Sequence, residues 1–250
     1  MKHDYIQQGD CLELMEKIPD KSIDMILCDL PYHMTRNDWD FDFPLFELFG
    51  KYNRIIKDNG AVLLFAGGLF TYRLIDESFE FDIDWRYNLV WKKTTPTGFL
   101  NANRQPLRIH EDICVFYKKQ PTYNPQKTTG HKRKVSTIKH KENCKKTTNY
   151  GEHSLKAYDS TERFPTSVLE FATDRQKSSL HPTQKPVALL EYLIKTYTNE
   201  GDVVLDNCMG SGSTCVAAVN TNRHYIGFEL DPQYFQIAHK RIQEAVETNG

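Results

Sequence analysis

An α/β fold is what this sequence predicts: a parallel-type sheet covered on both faces, with one inserted segment. Three observations carry that expectation. Apolar runs alternate with helical patterns in both the first and last thirds of the chain. At 203–231 a strand, a glycine-rich turn, a helix and a second strand follow in order. Between 118 and 149 the apolar pattern stops and basic residues take over. With 250 residues, 39% of them hydrophobic, the chain suits one sizeable core with an insertion.

Taken in order, "SIDMILCD" (22–29) reads as a buried strand. "PLFELFGKYNRIIKDNG" (44–60) has apolar residues at helical spacing, and Asn59-Gly60 predicts its stop. "AVLLFAG" (61–67) is a second strand, 69–79 a helix, and 85–93 and 111–119 two further strands. The stretch 118–149 holds ten Lys or Arg against one acid, Glu142, a local charge of +9. The whole chain carries −1, so the remainder carries −10. A basic segment is thus inserted in an acidic scaffold. It reads either as a solvated loop or as a surface that neutralises phosphates. Regular structure resumes at Pro186 with an amphipathic helix ending near Gly201.

The N-terminus "MKHDYIQQGD" is polar and unlike a signal peptide, and no apolar run approaches the ~18 residues of a membrane span. The six cysteines are scattered without a CxxC pair, which predicts buried free thiols in a cytoplasmic protein. The nine histidines are dispersed and His110-Glu111 is not part of an HExxH pattern, so no metal site is expected.

"VVLDNCMGSGST" (203–214) places Gly210-Ser211-Gly212 between a strand and a helix near Ser213. Glycine permits a tight turn and close ligand approach, and the helix start offers free N–H groups. The next strand, "HYIGFELD" (224–231), carries Glu229, 19 residues beyond Gly210, where an acid can accept from ribose hydroxyls. A nucleoside ligand is the expectation; surface acids after a tight turn are the plainer reading. Cys215 stands where a dinucleotide fingerprint wants its third Gly or Ala, which disfavours NAD.

"CDLPY" (28–32) ends the early strand with an acid, a turn-forming proline and an aromatic. Alone it reads as a capped turn. Together with "HPTQKPVALLEYLI" (181–194), "VLDNCMGSGSTCVAA" (204–218) and "YIGFELDPQYFQIAHKRI" (225–242), it resembles the site-specific DNA amino-methyltransferases. The catalytic tetrapeptide precedes the cofactor loop, the arrangement called the beta class. The resemblance covers the chain outside roughly 120–175.

That resemblance implies a Rossmann-like S-adenosylmethionine-dependent methyltransferase fold, with a seven-stranded mixed sheet, helices on both faces and an inserted DNA-recognition segment. It divides the chain into a catalytic part (1–119), a basic target-recognition region (120–177) and a cofactor-binding part (178–250). It implies methyl transfer from S-adenosylmethionine to the adenine N6 amino group of flipped-out double-stranded DNA. Asp29 and the Leu30 carbonyl would accept from the amine, Pro31 would fix the turn and Tyr32 would stack on the base. Asp206 and Gly210, Ser211 and Gly212 would hold the methionine part of the cofactor, with Thr183 and Lys185 near its carboxylate. Glu229 would take the ribose and Asp10 the adenine ring. Lys132, Arg133 and Lys134, with Arg104 and Arg108 from 95–112, would contact DNA. No metal and no covalent nucleophile are needed. His33 reads as a proton acceptor or as an ordinary loop histidine, and Asp38, Trp39 and Asp40 as part of a loop over the site or as a solvated turn.

The sequence departs from the family pattern twice. Leu30 replaces the usual proline of DPPY or SPPY, and Asn207-Cys208 replaces Pro-Phe, which removes an aromatic contact near the cofactor. The alternatives are a cytosine-N4 enzyme, a non-catalytic nucleotide-binding regulator with a DNA arm, and a NAD-dependent oxidoreductase. A homodimer and a cognate restriction enzyme are the partners such a context implies.

Overall fold

The computed structural model describes residues 2–31, 43–139, 156–173 and 184–249. Two compact units emerge. The larger is formed by Met1–Asn124 with Ser167–Gly250, the smaller by Pro125–Thr166.

The larger unit begins with β1 (Tyr5–Gln8) and a short helix α1 (Cys11–Met15). Next come β2 (Ile23–Cys28), α2 (Leu45–Ile55), β3 (Ile56–Ala66), α3 (Leu69–Ser78), β4 (Asp84–Thr97) and β5 (Arg108–Tyr117). In the smaller unit, β6 (Lys134–Ser136) and β7 (Tyr158–Ser160) pair antiparallel. The larger unit resumes with β8 (Val168–Phe171), α4 (Val187–Tyr197), β9 (Val203–Asp206), α5 (Ser213–Asn220), β10 (His224–Glu229) and α6 (Pro232–Asn249).

The main sheet has the order β1-β10-β9-β2-β3-β5-β4-β8. Its first five strands run parallel, β5 is antiparallel to both β3 and β4, and β8 pairs parallel with β4. Among the described residues the sheet thus has eight strands rather than seven. The eighth, β8, is four residues long with only Leu169 buried, too short for its periodicity to stand out.

The strands alternate sides with a period of two. Ile26, Cys28 and Leu64 face a core built with Met15, Leu48, Phe49 and Tyr52. Met25, Leu27, Leu63 and Phe65 face a second core built with Leu189, Leu193, Ala217 and Ile242. Helix α2 buries Leu45, Leu48, Phe49, Tyr52 and Ile55, one stripe at helical spacing.

The stop expected at Asn59-Gly60 is displaced: α2 ends at Ile55, and Gly60 lies inside β3. A Cβ at Gly60 would sit 2.8 Å from the Asp24 carbonyl and from the Ile56 side chain. The glycine serves a close strand approach, beside the register shift between Ile23 and Met25, and not a helix cap.

Gly227 does similar work in β10. A Cβ there would fall 2.5 Å from Met209 Sδ and 2.8 Å from Cys215 Sγ. Gly227→Ala is expected to destabilise the protein by about 1–3 kcal/mol through overpacking. The urea midpoint reads this directly; an unchanged midpoint would mean the two sulfurs withdraw freely.

The strand order places the site. After β9 the chain moves outward through β10, and after β2 it moves the other way to β3, while β2 and β9 lie side by side (Met25↔Val204, Ile26↔Leu205). Their carboxyl ends flank the crevice where open α/β sheets bind ligands.

Candidate active site

A cavity of about 630 Å³ opens at these carboxyl ends. Asp10, Asp29, Leu30, Pro31, Lys185, Asp206, Gly210, Ser211 and Glu229 line it. Residues far apart in the chain therefore meet in one place, because β2, β9 and β10 end on the same edge of the sheet. Tyr32 and Thr183 lie outside the described residues, as do His33, Asp38, Trp39 and Asp40.

The glycine turn has the conformation its residues predict. Gly210 and Gly212 adopt φ of 52° and 78°, and α5 starts at Ser213. A Cβ at Gly212 would lie 2.9 Å from the Ala238 Cβ, so α6 closes on the turn where only glycine fits. The Gly210 N–H donates to Glu229 Oε2 at 2.7 Å, and the Asp231 N–H donates to Oε1 at 2.9 Å. Glu229 is thereby held rigid at the end of β10, each oxygen keeping a further lone pair. Arg241 of α6 donates to the Ser211 carbonyl and hydroxyl at 2.5 and 2.9 Å, bracing the turn from behind.

Asp10 is the N-cap of α1, its Oδ1 accepting from the N–H groups of Leu12 (2.8 Å) and Glu13 (3.4 Å). Asp206 is buried and accepts from the Cys208 N–H at 3.2 Å. Burial pushes its carboxyl up to about 7, opposed by hydrogen bonds from the Thr214 side chain and the Cys208 N–H. Burial also raises Glu229. Asp29 is raised by burial first, with Lys185 pulling it down and Glu111 pushing it up. Three desolvated carboxyl groups around one cavity make it a site that favours a cation.

Asn207-Cys208 is built into the floor. Asn207 is buried; its Oδ1 accepts from the Tyr52 hydroxyl at 2.6 Å, and its amide faces the sulfurs of Cys11 (3.7 Å) and Cys208 (3.5 Å). A buried polar side chain satisfied on both ends replaces what an apolar pair would fill. Cys28 is buried and its thiol is pushed up to about 12 by desolvation, which suits a packing residue and not a nucleophile.

Asp29 follows β2 and carries the most informative contact. Lys185 Nζ lies 2.5 Å from its Oδ2. Its Oδ1 is buried with no hydrogen-bond partner among the described residues. Lys185, expected near the cofactor's carboxylate, lines the cavity and is ion-paired with Asp29. Behind it stand two residues that sequence reasoning missed, Glu111 on β5 and Lys93 on β4. The available signal was charge inside strands that are otherwise apolar, "VWKK" and "HEDICVF".

Arg104 and Arg108 are exposed in the β4–β5 hairpin. Lys132, Arg133 and Lys134 are exposed in the smaller unit, where Arg133 is held by both Asp159 oxygens at 2.7 and 2.6 Å. Among the described residues no helix is long and apolar enough to cross a membrane.

Known proteins resemble this chain in sequence and in fold. A family model described as "DNA methylase" matches residues 23–240. The type II methyltransferase M.HinfI of Haemophilus influenzae is 29% identical over 268 residues, spanning 96% of this chain and 68% of that protein. The DNA adenine methyltransferase YhdJ of Escherichia coli (strain K12) is 27% identical over 264 residues, spanning 96% and 83%. Among solved structures, the M1.HpyAVI–SAM complex superposes with a TM-score of 0.67 at 25% identity, covering 95% of this chain and 98% of that one. The cytosine-N4-specific PvuII DNA methyltransferase shares the fold, with a TM-score of 0.69 at 16% identity over 100% and 93%.

Proposed function

The chain belongs to the DNA methylase family, and on that premise we propose that it transfers a methyl group from S-adenosylmethionine to the N6 amino group of adenine in DNA. The observation that carries the reading is the Asp29 carboxylate: one oxygen clamped by Lys185, the other buried without a partner, at the rim of a cation-favouring cavity. A buried acceptor without a donor is costly, and an exocyclic N–H supplies the donor.

The cavity fits the cofactor in volume and in charge. S-adenosylmethionine, when bound, supplies an electrophilic methyl group on a cationic sulfur. Asp206, Gly210 and Ser211 would hold its methionine part, Glu229 its ribose, and Asp10 its adenine, while Gly212, which does not line the cavity, shapes the turn against α6. Thr183 and Lys185 are proposed near its carboxylate, Lys185 from the position where it also clamps Asp29.

The chemistry asked of the protein is modest. An aromatic amine is a weak nucleophile because its lone pair is delocalised into the ring. Asp29 and the Leu30 carbonyl accept from its two N–H bonds and draw the nitrogen toward tetrahedral geometry. Pro31 holds the turn without adding a competing N–H. Tyr32 stacks on the flipped base, a contact of about 1–3 kcal/mol. On transfer the amine nitrogen would bond to the methyl carbon as the carbon–sulfur bond breaks and its electron pair returns to sulfur, leaving a neutral thioether, and the proton the amine loses would pass to ionised Asp29, the base nearest to hand. A carboxylate at position 29 favours adenine over cytosine, and YhdJ, the relative above that is named as a DNA adenine methyltransferase, supports the same choice.

The test is to incubate the protein with labelled S-adenosylmethionine and unmethylated duplex DNA and to identify the modified nucleoside. N6-methyladenine is expected; N4-methylcytosine, or cofactor binding without any product, would overturn the assignment.

Duplex DNA is the proposed partner, with the basic 120–177 segment as its recognition region. A cytoplasmic location, a homodimer and a cognate restriction enzyme accompany this reading. Lys132 and Lys134 are exposed, whereas Arg133 is engaged by Asp159. Replacing both lysines by alanine is therefore expected to flatten the slope of log affinity against log salt by about 2, and Arg133→Ala by less. Fluorescence anisotropy on labelled duplex at several salt concentrations measures this. Equal slopes in all variants would remove these residues from the DNA surface.

A further inference from the structure

Asp29 is one end of a chain of four charges. Lys185 Nζ is 2.5 Å from Asp29 Oδ2 and 3.4 Å from Glu111 Oε2. Lys93 Nζ is 2.5 Å from Glu111 Oε1. The side chains of Lys185, Lys93 and Glu111 are 7%, 10% and 14% exposed, so little water screens them. The lysines also lie over aromatic faces, Lys185 at 4.9 Å from the Phe65 ring centre and Lys93 at 5.0 Å from that of Trp91. The four residues come from the end of β2, the entry to α4, and strands β5 and β4. Ordinary folding has little use for such an arrangement, since desolvating four charges costs more than well-packed apolar residues would.

We propose that Glu111 is a positioning residue for methyl transfer, which acts through Lys185 to keep Asp29 a strong, correctly turned acceptor, and that Lys93 holds Glu111 in place. The inference rests on the reading of Asp29 as the amine's acceptor. The physical reason is charge sharing. A buried Asp29–Lys185 pair on its own would be a tight, neutral ion pair, and its carboxylate would accept weakly from a third group. Glu111 takes part of the attraction of Lys185, which leaves excess negative charge on Asp29. The clamp on Oδ2 also fixes the carboxylate's rotation, so that Oδ1 is the oxygen left for the substrate.

Among the described residues, Lys185, Glu111 and Lys93 are the charged groups that act most on Asp29, and Asp206 and Cys28 feel its charge in turn. Glu111 pushes the Asp29 carboxyl up and Lys93 pulls it down. The two therefore have opposite signatures. Glu111→Gln removes a repulsion, so Asp29 ionises at lower pH and the acid limb of the rate profile moves down. Lys93→Met removes an attraction, so the limb moves up.

The experiment measures single-turnover transfer from labelled S-adenosylmethionine to unmethylated plasmid DNA across pH, for wild type, Glu111→Gln, Glu111→Asp and Lys93→Met. Glu111→Gln should lower the plateau rate by about ten- to hundredfold. Its affinity for the cofactor and its KM for DNA should be unchanged, and Glu111→Asp should recover most of the rate. The limbs should move in opposite directions in Glu111→Gln and Lys93→Met. Coincident profiles, or a loss confined to KM, would overturn the proposal. Carbon-13 NMR titration of the Asp29 carboxyl gives the same two displacements without any turnover. If wild type transfers no methyl group, the functional reading fails by itself. If wild type transfers, Asp29→Ala does not, and the titrations fail to move, only the role of Glu111 is lost.

Discussion

Asp29→Ala is expected to abolish methyl transfer, by about 10³-fold or more, while S-adenosylmethionine still binds. The carboxylate's partner is Lys185, and the cofactor-side groups Asp206, Glu229 and the glycine turn are anchored by their own backbone contacts. Removing Asp29 therefore takes away the acceptor without dismantling the rest of the cavity. Asp29→Asn is the sharper comparison, because it keeps the shape and loses the charge. It should also lose transfer, since Lys185 would then face a neutral amide. The wild-type rate should fall on the acid side. Burial raises the Asp29 carboxyl above its ordinary value, and only the ionised form accepts from both the lysine and the amine. The rate is thus complete above that raised pKa and is lost as pH drops through it. The residual rate of Asp29→Asn should lack this limb. Calorimetry for binding and a filter assay for transfer decide the matter; transfer that survives in both variants would remove Asp29 from the chemistry.

Asp206→Asn should move stability and binding in opposite directions. The Asp206 carboxyl titrates near 7 in the folded protein, against an ordinary value of 3.8, because it is buried at the end of β9. The folded state therefore holds a proton that the unfolded chain has already released. Stability from this group is complete below the unfolded value, declines as pH rises through the window, and reaches its full cost above the folded value. The asparagine avoids that cost and still accepts from the Cys208 N–H. At pH about 8 the ligand-free variant is expected to melt about 3–6 °C higher than wild type, a difference that closes toward acid pH. Its affinity for S-adenosylmethionine should fall by about 10- to 100-fold, the worth of one charge-assisted contact. Wild-type affinity should correspondingly rise with pH through neutrality, as the cofactor's positive charge draws the proton off Asp206. A variant that is less stable at pH 8, or that binds the cofactor as tightly as wild type, would contradict this account.

Much of the molecule was legible because its signals are local. The β9–turn–α5–β10 unit follows from glycines, strand lengths and a helix start within thirty residues, and it appears in the structure with the glycines at positive φ. The α2 stripe reads directly from spacing. The misplaced stop at Gly60 shows the limit: a glycine signals backbone freedom or close approach, and sequence alone does not say which. Strands β1, β6, β7 and β8 escaped notice because runs of three or four residues, of which only Leu169 is buried, carry no periodicity.

By itself the sequence pointed to the fold class, the family and nine of the residues that line the cavity, since each rests on short-range pattern or on motif wording. Only the tertiary structure decided how those residues are paired. Lys185 meets Asp29, and Glu111 and Lys93 stand behind them, because strand order brings β2, β5 and β4 beside the entry to α4. Asn207 turns into a polar floor beneath Tyr52 for the same reason. Charge coupling acts through space at a few ångströms and depends on burial. Neither distance nor burial is written in the order of residues along the chain.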